Sequence, residues 1–163
     1  MGTGKSAVGR LLAKRLRWRF VDLDERIQKK AKATIAEIFS KEGELGFRKR
    51  EAEEVRQVAE LKSHVIATGG GVMLDEGNVR LLKRTGTLIC LTARPEVIFQ
   101  RTTASLPSRP LLSGSDPCER IEELLKLRAP FYVQADVAVD TSGRSIKDVV
   151  EEIIAQLKMK SEK

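Results

Sequence analysis

The chain has 163 residues, 41% hydrophobic and 33% charged, with 30 Lys and Arg against 23 Asp and Glu for a net charge of +7. That is about one domain of globular composition, which excludes a disordered tail, a collagen-like fibre and a disulfide-rich mini-protein. The longest stretch free of Asp, Glu, Lys and Arg, Ser63 to Leu74, falls well short of the ~20 apolar residues of a membrane span.

From Lys5, the residues Val8, Leu11, Leu12 and Leu16 fall at helical spacing and mark one buried stripe. Arg19 to Leu23 reads as a short strand. Thr34 with Glu37 reads as a capping box opening a helix that carries Ile35, Ile38 and Phe39. A second helix is expected after Gly46, running to about Leu61. His64 to Thr68 is a strand bounded by Gly69, Gly70 and Gly71. A helix over about Glu76 to Arg84, a strand over Thr87 to Leu91 and a helix starting at Pro95 follow. Ala104 to Pro117 is rich in Ser, Pro and Gly without periodicity, as expected of a functional lid loop. A helix from about Cys118 to Tyr132 and a strand from Asp136 to Asp140 come next. The last helix has the clearest pattern, in Ile146, Val149, Val150, Ile153, Ile154 and Leu157. Strands alternating with helices imply a parallel sheet covered by helices on both faces, in one domain.

Gly2-Thr3-Gly4-Lys5-Ser6 ends in the Gly-Lys-Ser of a P-loop and runs straight into a periodic helix. Glycines let backbone N–H groups curl around phosphate oxygens, and the helix start adds its positive dipole end. Lys5 brings a full charge to the β- and γ-phosphates, and the Ser6 hydroxyl can ligate Mg²⁺. The first glycine of the full pattern would lie before Met1, and no strand precedes the loop. In P-loop proteins that strand lies mid-sheet. A gap flanked by unpaired backbone groups is therefore expected, each buried unmet donor costing about 1–3 kcal/mol. The expectation is a native chain extending beyond Met1.

Asp22 and Asp24 are two apart at the end of a strand, so in extended chain they point the same way. One could approach a metal and the other an acceptor hydroxyl; a helix N-cap followed by a solvated acid is the alternative. Arg48 lies near a helix start and Arg128 late in a helix before Pro130. Three glycines after a strand exceed what a tight turn requires and allow backbone to approach a ligand closely.

In order along the chain, GTGKS, FVDLD, IFSKEGELGFRKRE, ATGGG, RPLL and RAPFY resemble the motifs of shikimate kinase, a small P-loop kinase of nucleoside-monophosphate-kinase type. The resemblance implies a three-layer α/β/α P-loop fold whose five-stranded parallel sheet lacks its first strand here. It implies transfer of the ATP γ-phosphate to the 3-hydroxyl of shikimate, with Mg²⁺, on the way to chorismate and the aromatic amino acids. It places Gly2, Thr3, Gly4, Lys5, Ser6 and Ala7 on the ATP phosphates, with Ser6 and Asp22 at the metal. Asp24 would hold the reacting hydroxyl as candidate base. Arg48, Arg128, Gly69, Gly70 and Gly71 would bind shikimate, with Glu51 orienting an arginine. Arg109 in the lid would close over the phosphates. Arg101 would lie near the nucleotide and Arg144 towards the adenine. The acceptor region would span about 24–61 and the lid about 104–117 of a single domain, 1–163.

Three alternatives remain: another small-molecule P-loop kinase of gluconate- or nucleotide-kinase type, a catalytically silent shikimate-binding relative, and a nucleic-acid binder suggested by the charge. Aromatic residues at 4% leave little for base stacking, so no nucleic-acid partner is expected. Cys90 and Cys118 form no disulfide framework. With no cationic stretch leading into an apolar segment at the start, the expectation is a cytoplasmic monomer, free of membrane, acting on small molecules.

Overall fold

The structure, a computed structural model, describes residues 2–102 and 116–161. The elements run α1 (Lys5–Leu16), β1 (Arg19–Asp22), α2 (Leu23–Ala31), α3 (Ile35–Val58), β2 (His64–Ala67), a 3-10 turn (Val72–Leu74) and α4 (Glu76–Thr85). Then come β3 (Ile89–Thr92), α5 (Pro95–Thr102), α6 (Pro117–Tyr132), β4 (Val137–Asp140) and α7 (Ile146–Ser161).

Local chemistry accounts for the boundaries. Asp22 ends β1 and caps α2, its carboxylate accepting from the amides of Asp24 at 3.0 Å and Glu25 at 3.2 Å. Thr34 and Glu37 form the capping box expected for α3. The break expected at Gly46 lies instead at Gly43, whose φ of 69° and ψ of −178° kink one long helix. Gly46 itself is helical. The helix α2 was not expected at all, because only Leu23 and Ile27 of its nine residues are buried. Asp116 caps α6 one residue earlier than expected. Of the lid expected over 104–117, only residues 116–117 are among those described, and Arg109 lies outside them.

All strand pairs are parallel, with Arg19 opposite His64 in one pair and Ile89 opposite Val137 in the other. Among the described residues, the single sheet that strand–helix alternation implied is divided: β1 pairs with β2, and β3 with β4. Between β2 and β3 lies a cavity of about 530 Å³, walled by Val65 and Ile66, by Ile89 and Leu91, and by Val8 and Leu12 of α1. The anticipated gap is therefore present between β2 and β3 among the described residues. Its signature is that the apolar residues of β2 and β3 are mostly half-buried, whereas Val137 and Val139 on β4 are 2% and 1% exposed.

The core is correspondingly split. Leu23, Ile27, Ile38, Phe47, Val55 and Val58 pack together under α2 and α3. Val8 and Leu12 of α1 pack with Val137 and Val139 of β4 and with Val149, Val150 and Ile153 of α7. A smaller cluster joins Ile98 of α5 to Ile121 and Leu124 of α6.

Candidate active site

The start of α1 is bare. Gly4 precedes it at φ 89° with no side-chain cap, and no acidic residue lies in the first turn. The Val8 amide bonds the Gly4 carbonyl at 2.9 Å, so the amides of Lys5, Ser6 and Ala7 have no partner within the helix. Gly2 and Gly4 both adopt positive φ, bending the backbone before the helix. A β-carbon on Gly2 would fall 2.8 Å from the Thr102 side chain, so α5 presses directly on this turn. Arg101 secures it, donating to the Gly2 carbonyl at 3.3 Å and to the hydroxyl and carbonyl of Thr141, each at 3.0 Å.

Ser6 Oγ donates to Asp22 Oδ2 at 2.6 Å. Two readings of Asp22 meet here, since its other oxygen caps α2 while this one faces the phosphate turn. The pair offers hard oxygen donors, which suit Mg²⁺ held by one or two protein groups plus phosphates and water. Among the described residues no group of three His, Cys, Asp or Glu side chains forms a metal cage.

Asp24 lies two residues further, directed into a pocket built around the glycines. A β-carbon on Gly69 would meet Glu51 Oε2 at 3.1 Å and Asp24 Oδ1 at 3.4 Å. These two carboxylate oxygens are buried and find no hydrogen-bond partner among the described residues. Burial pushes the Asp24 carboxyl above its ordinary range, Asp22 adds to that, and Lys5 and Arg48 offset part of it. Glu51 is likewise raised by burial, against the pull of Arg48 and Arg128. Such orphaned acceptors are costly unless a donor arrives.

The arginines frame the same pocket. Arg48 donates to Glu51 at 2.8 Å and to Glu44 at 3.2 Å, and its guanidinium packs against the α-carbon of Gly71. Arg128 on α6 is 6% exposed, and its charge reaches Glu51. Tyr132, one turn after Arg128, donates to the Gly70 carbonyl at 3.3 Å. Each of the three glycines thus meets a different side chain of the pocket.

Of the residues anticipated from sequence, Lys5, Ser6, Asp22, Asp24, Arg48, Glu51, Gly69, Gly70, Gly71 and Arg128 gather along one cleft from the start of α1 to the glycine loop. Arg101 joins it through Gly2. Arg144 is occupied elsewhere, bonded to Glu152 and to the carbonyls of Asp140 and Asp148 at the start of α7. Glu44, Tyr132 and Thr141 were not anticipated, although Glu44 lies in IFSKEGELGFRKRE and Tyr132 in RAPFY.

Phosphate at a bare helix start, beside a compact pocket that pairs a carboxylate with arginines, is the division of labour of P-loop kinases acting on small molecules. The shikimate kinase family model matches residues 1–158. A shikimate kinase from Caldanaerobacter subterraneus subsp. tengcongensis is 48% identical over 161 residues, covering 98% of this chain and 94% of that protein. One from Symbiobacterium thermophilum is 49% identical over 165 residues, covering 100% and 95%. The structure of an Acinetobacter baumannii shikimate kinase, solved in complex with shikimate, superposes with a TM-score of 0.93 at 38% identity, over 99% of this chain and 89% of that one. The chain belongs to the shikimate kinase family, and its fold is the α/β P-loop kinase fold.

Proposed function

We propose that this protein phosphorylates the 3-hydroxyl of shikimate at the expense of ATP, as one kinase domain working as a cytoplasmic monomer. The observation that carries the reading is the pair of orphaned buried oxygens, Asp24 Oδ1 and Glu51 Oε2, framed by Arg48 and Arg128 over Gly69. An acceptor that satisfies them must donate hydroxyls and carry an anion for the arginines, as a polyhydroxylated carboxylic acid such as shikimate does. Planar guanidinium groups bind carboxylate through paired hydrogen bonds.

The free amides of α1 and Lys5 hold the phosphate tail, and Lys5 draws charge off the transferring group. Ser6 and Asp22 would hold Mg²⁺, which would supply charge neutralisation for the phosphates. Asp24 orients the 3-hydroxyl and takes up its proton as the new O–P bond forms and the bond from the γ-phosphorus to the bridging oxygen breaks, releasing ADP. A raised carboxyl is a better proton acceptor than an ordinary aspartate once ionised. Arg101 fixes the turn preceding α1, and the family resemblance assigns Arg109, outside the described residues, to the phosphates.

No helix among the described residues is long and apolar enough to cross a membrane. A nucleoside monophosphate would bring no carboxylate to Arg48 and Arg128, whereas gluconate, like shikimate, is a polyhydroxylated carboxylate, so direct comparison of the acceptors separates those two. The test is a coupled ADP-release assay offering shikimate, gluconate and nucleoside monophosphates. Turnover with shikimate alone is expected; turnover only with another acceptor, or binding without turnover, overturns the proposal.

A further inference from the structure

The pocket holds one polar group the proposed chemistry does not use. Tyr132 and Arg128 are four residues apart on α6 and so share a face of that helix. The Tyr132 hydroxyl donates to the Gly70 carbonyl at 3.3 Å, with the Arg128 guanidinium close enough to act on the phenol. It therefore lies between the loop that lines the acceptor pocket and the arginine that would grip the acceptor.

The local backbone explains why such a tie is needed. Pro130 lies inside α6, and without an N–H it leaves the Lys126 carbonyl with no helical partner in the turn carrying Arg128. That turn is one hydrogen bond short where the guanidinium must be held most tightly. The helix also packs against the 3-10 turn that follows the glycines, so the two segments are already in contact. The phenol ring is half-buried, and the aromatic body can stay in place whether or not the hydroxyl is present.

We propose that Tyr132 is a positioning residue for the acceptor: its hydroxyl locks the Arg128 guanidinium to the Gly70 carbonyl and so fixes the carboxylate-binding geometry. The inference deepens the shikimate kinase reading and rests on it. A hydroxyl that donates to the carbonyl with the arginine beside it relays the loop position to the charged group. Without it, Arg128 keeps its charge and loses its aim.

The experiment compares Tyr132→Phe, Arg128→Ala and the double variant in steady-state assays with both substrates varied. Tyr132→Phe should raise the KM for shikimate about tenfold, as expected for one lost hydrogen bond to a charged group, with the KM for ATP within about twofold of wild type. In the Arg128→Ala background the further change to Phe should have almost no effect, because the hydroxyl acts through the arginine. Thermal melting checks that the Phe variant keeps its fold, and a merely structural tyrosine would move both KM values and the melting temperature together. An unchanged shikimate KM in Tyr132→Phe, or full additivity in the double variant, overturns the positioning role. If Arg128→Ala alone leaves the shikimate KM unchanged, the carboxylate-gripping reading itself fails, which is a separate result.

Discussion

Replacing Gly71 with Ala puts a methyl group where the Arg48 guanidinium now lies. A β-carbon at this position falls 2.1 Å from Nη1, 2.4 Å from Cζ and 2.5 Å from Nη2, against 3.4 Å for ordinary contact. The guanidinium must retreat by about 1.3 Å. Gly71 has φ −82°, so alanine strains no backbone, and the atoms that must move are the end of a flexible side chain. The cost therefore falls on the site. A retreat of that size breaks the 2.8 Å bond to Glu51 and withdraws one guanidinium from an acceptor carboxylate. Losing one hydrogen-bonded charge contact costs about 2 kcal/mol, or roughly a thirtyfold rise in the KM for shikimate. The bare start of α1 is untouched, so the KM for ATP should stay within about twofold. The assay is ADP release with each substrate titrated in turn, with melting followed by fluorimetry. Equal rises in both KM values, or no rise for shikimate, would refute the placement of Arg48 at the acceptor.

Lys5→Ala should lower turnover by about a hundredfold or more while leaving the melting temperature unchanged, measured on the same coupled assay. Asp24→Asn should abolish turnover yet stabilise the protein. The folded chain raises the Asp24 carboxyl above 3.8 through burial and Asp22, so the stability tied to its protonated form is lost as pH rises through that raised value. Melting curves should therefore nearly coincide with wild type at about pH 4 and lie above it at about pH 8; a variant less stable at the higher pH contradicts the raised carboxyl. Fusing an extended apolar segment of about six residues ahead of Met1 should raise the melting temperature and slow amide exchange in β2 and β3. Unchanged exchange in both strands would show that the cavity between them does not accept a strand.

Sequence periodicity located α7 and α1 because six and four apolar residues respectively recur on one face. It missed α2, where two buried residues four apart leave no stripe, and where Asp22 reads equally as a cap or as an acid at a strand end. The kink in α3 went to Gly43 rather than Gly46 because a positive φ at the former closes the turn, a choice no local composition distinguishes. The phosphate turn and the glycine loop were legible since glycine there answers to backbone geometry and close approach. Glu44 was overlooked although its partner Arg48 is only four residues on; Tyr132 and Thr141 were not legible, because their partners lie across the fold: the Tyr132 hydroxyl meets a carbonyl 62 residues away. A lone tyrosine in a helix carries no mark of that.

Among the described residues, the β1–β2 and β3–β4 blocks are joined by shared helices. Helix α1 leans on β1 and β2 on one side and on α7 on the other, and α6 leans on the turn after the glycines and on α5. The same two helices present the phosphate turn and Arg128. A ligand bridging them would act as a cross-brace between the blocks, so occupancy should tighten the whole body and not merely the pocket. Mechanical integrity and substrate grip here run through the same beams.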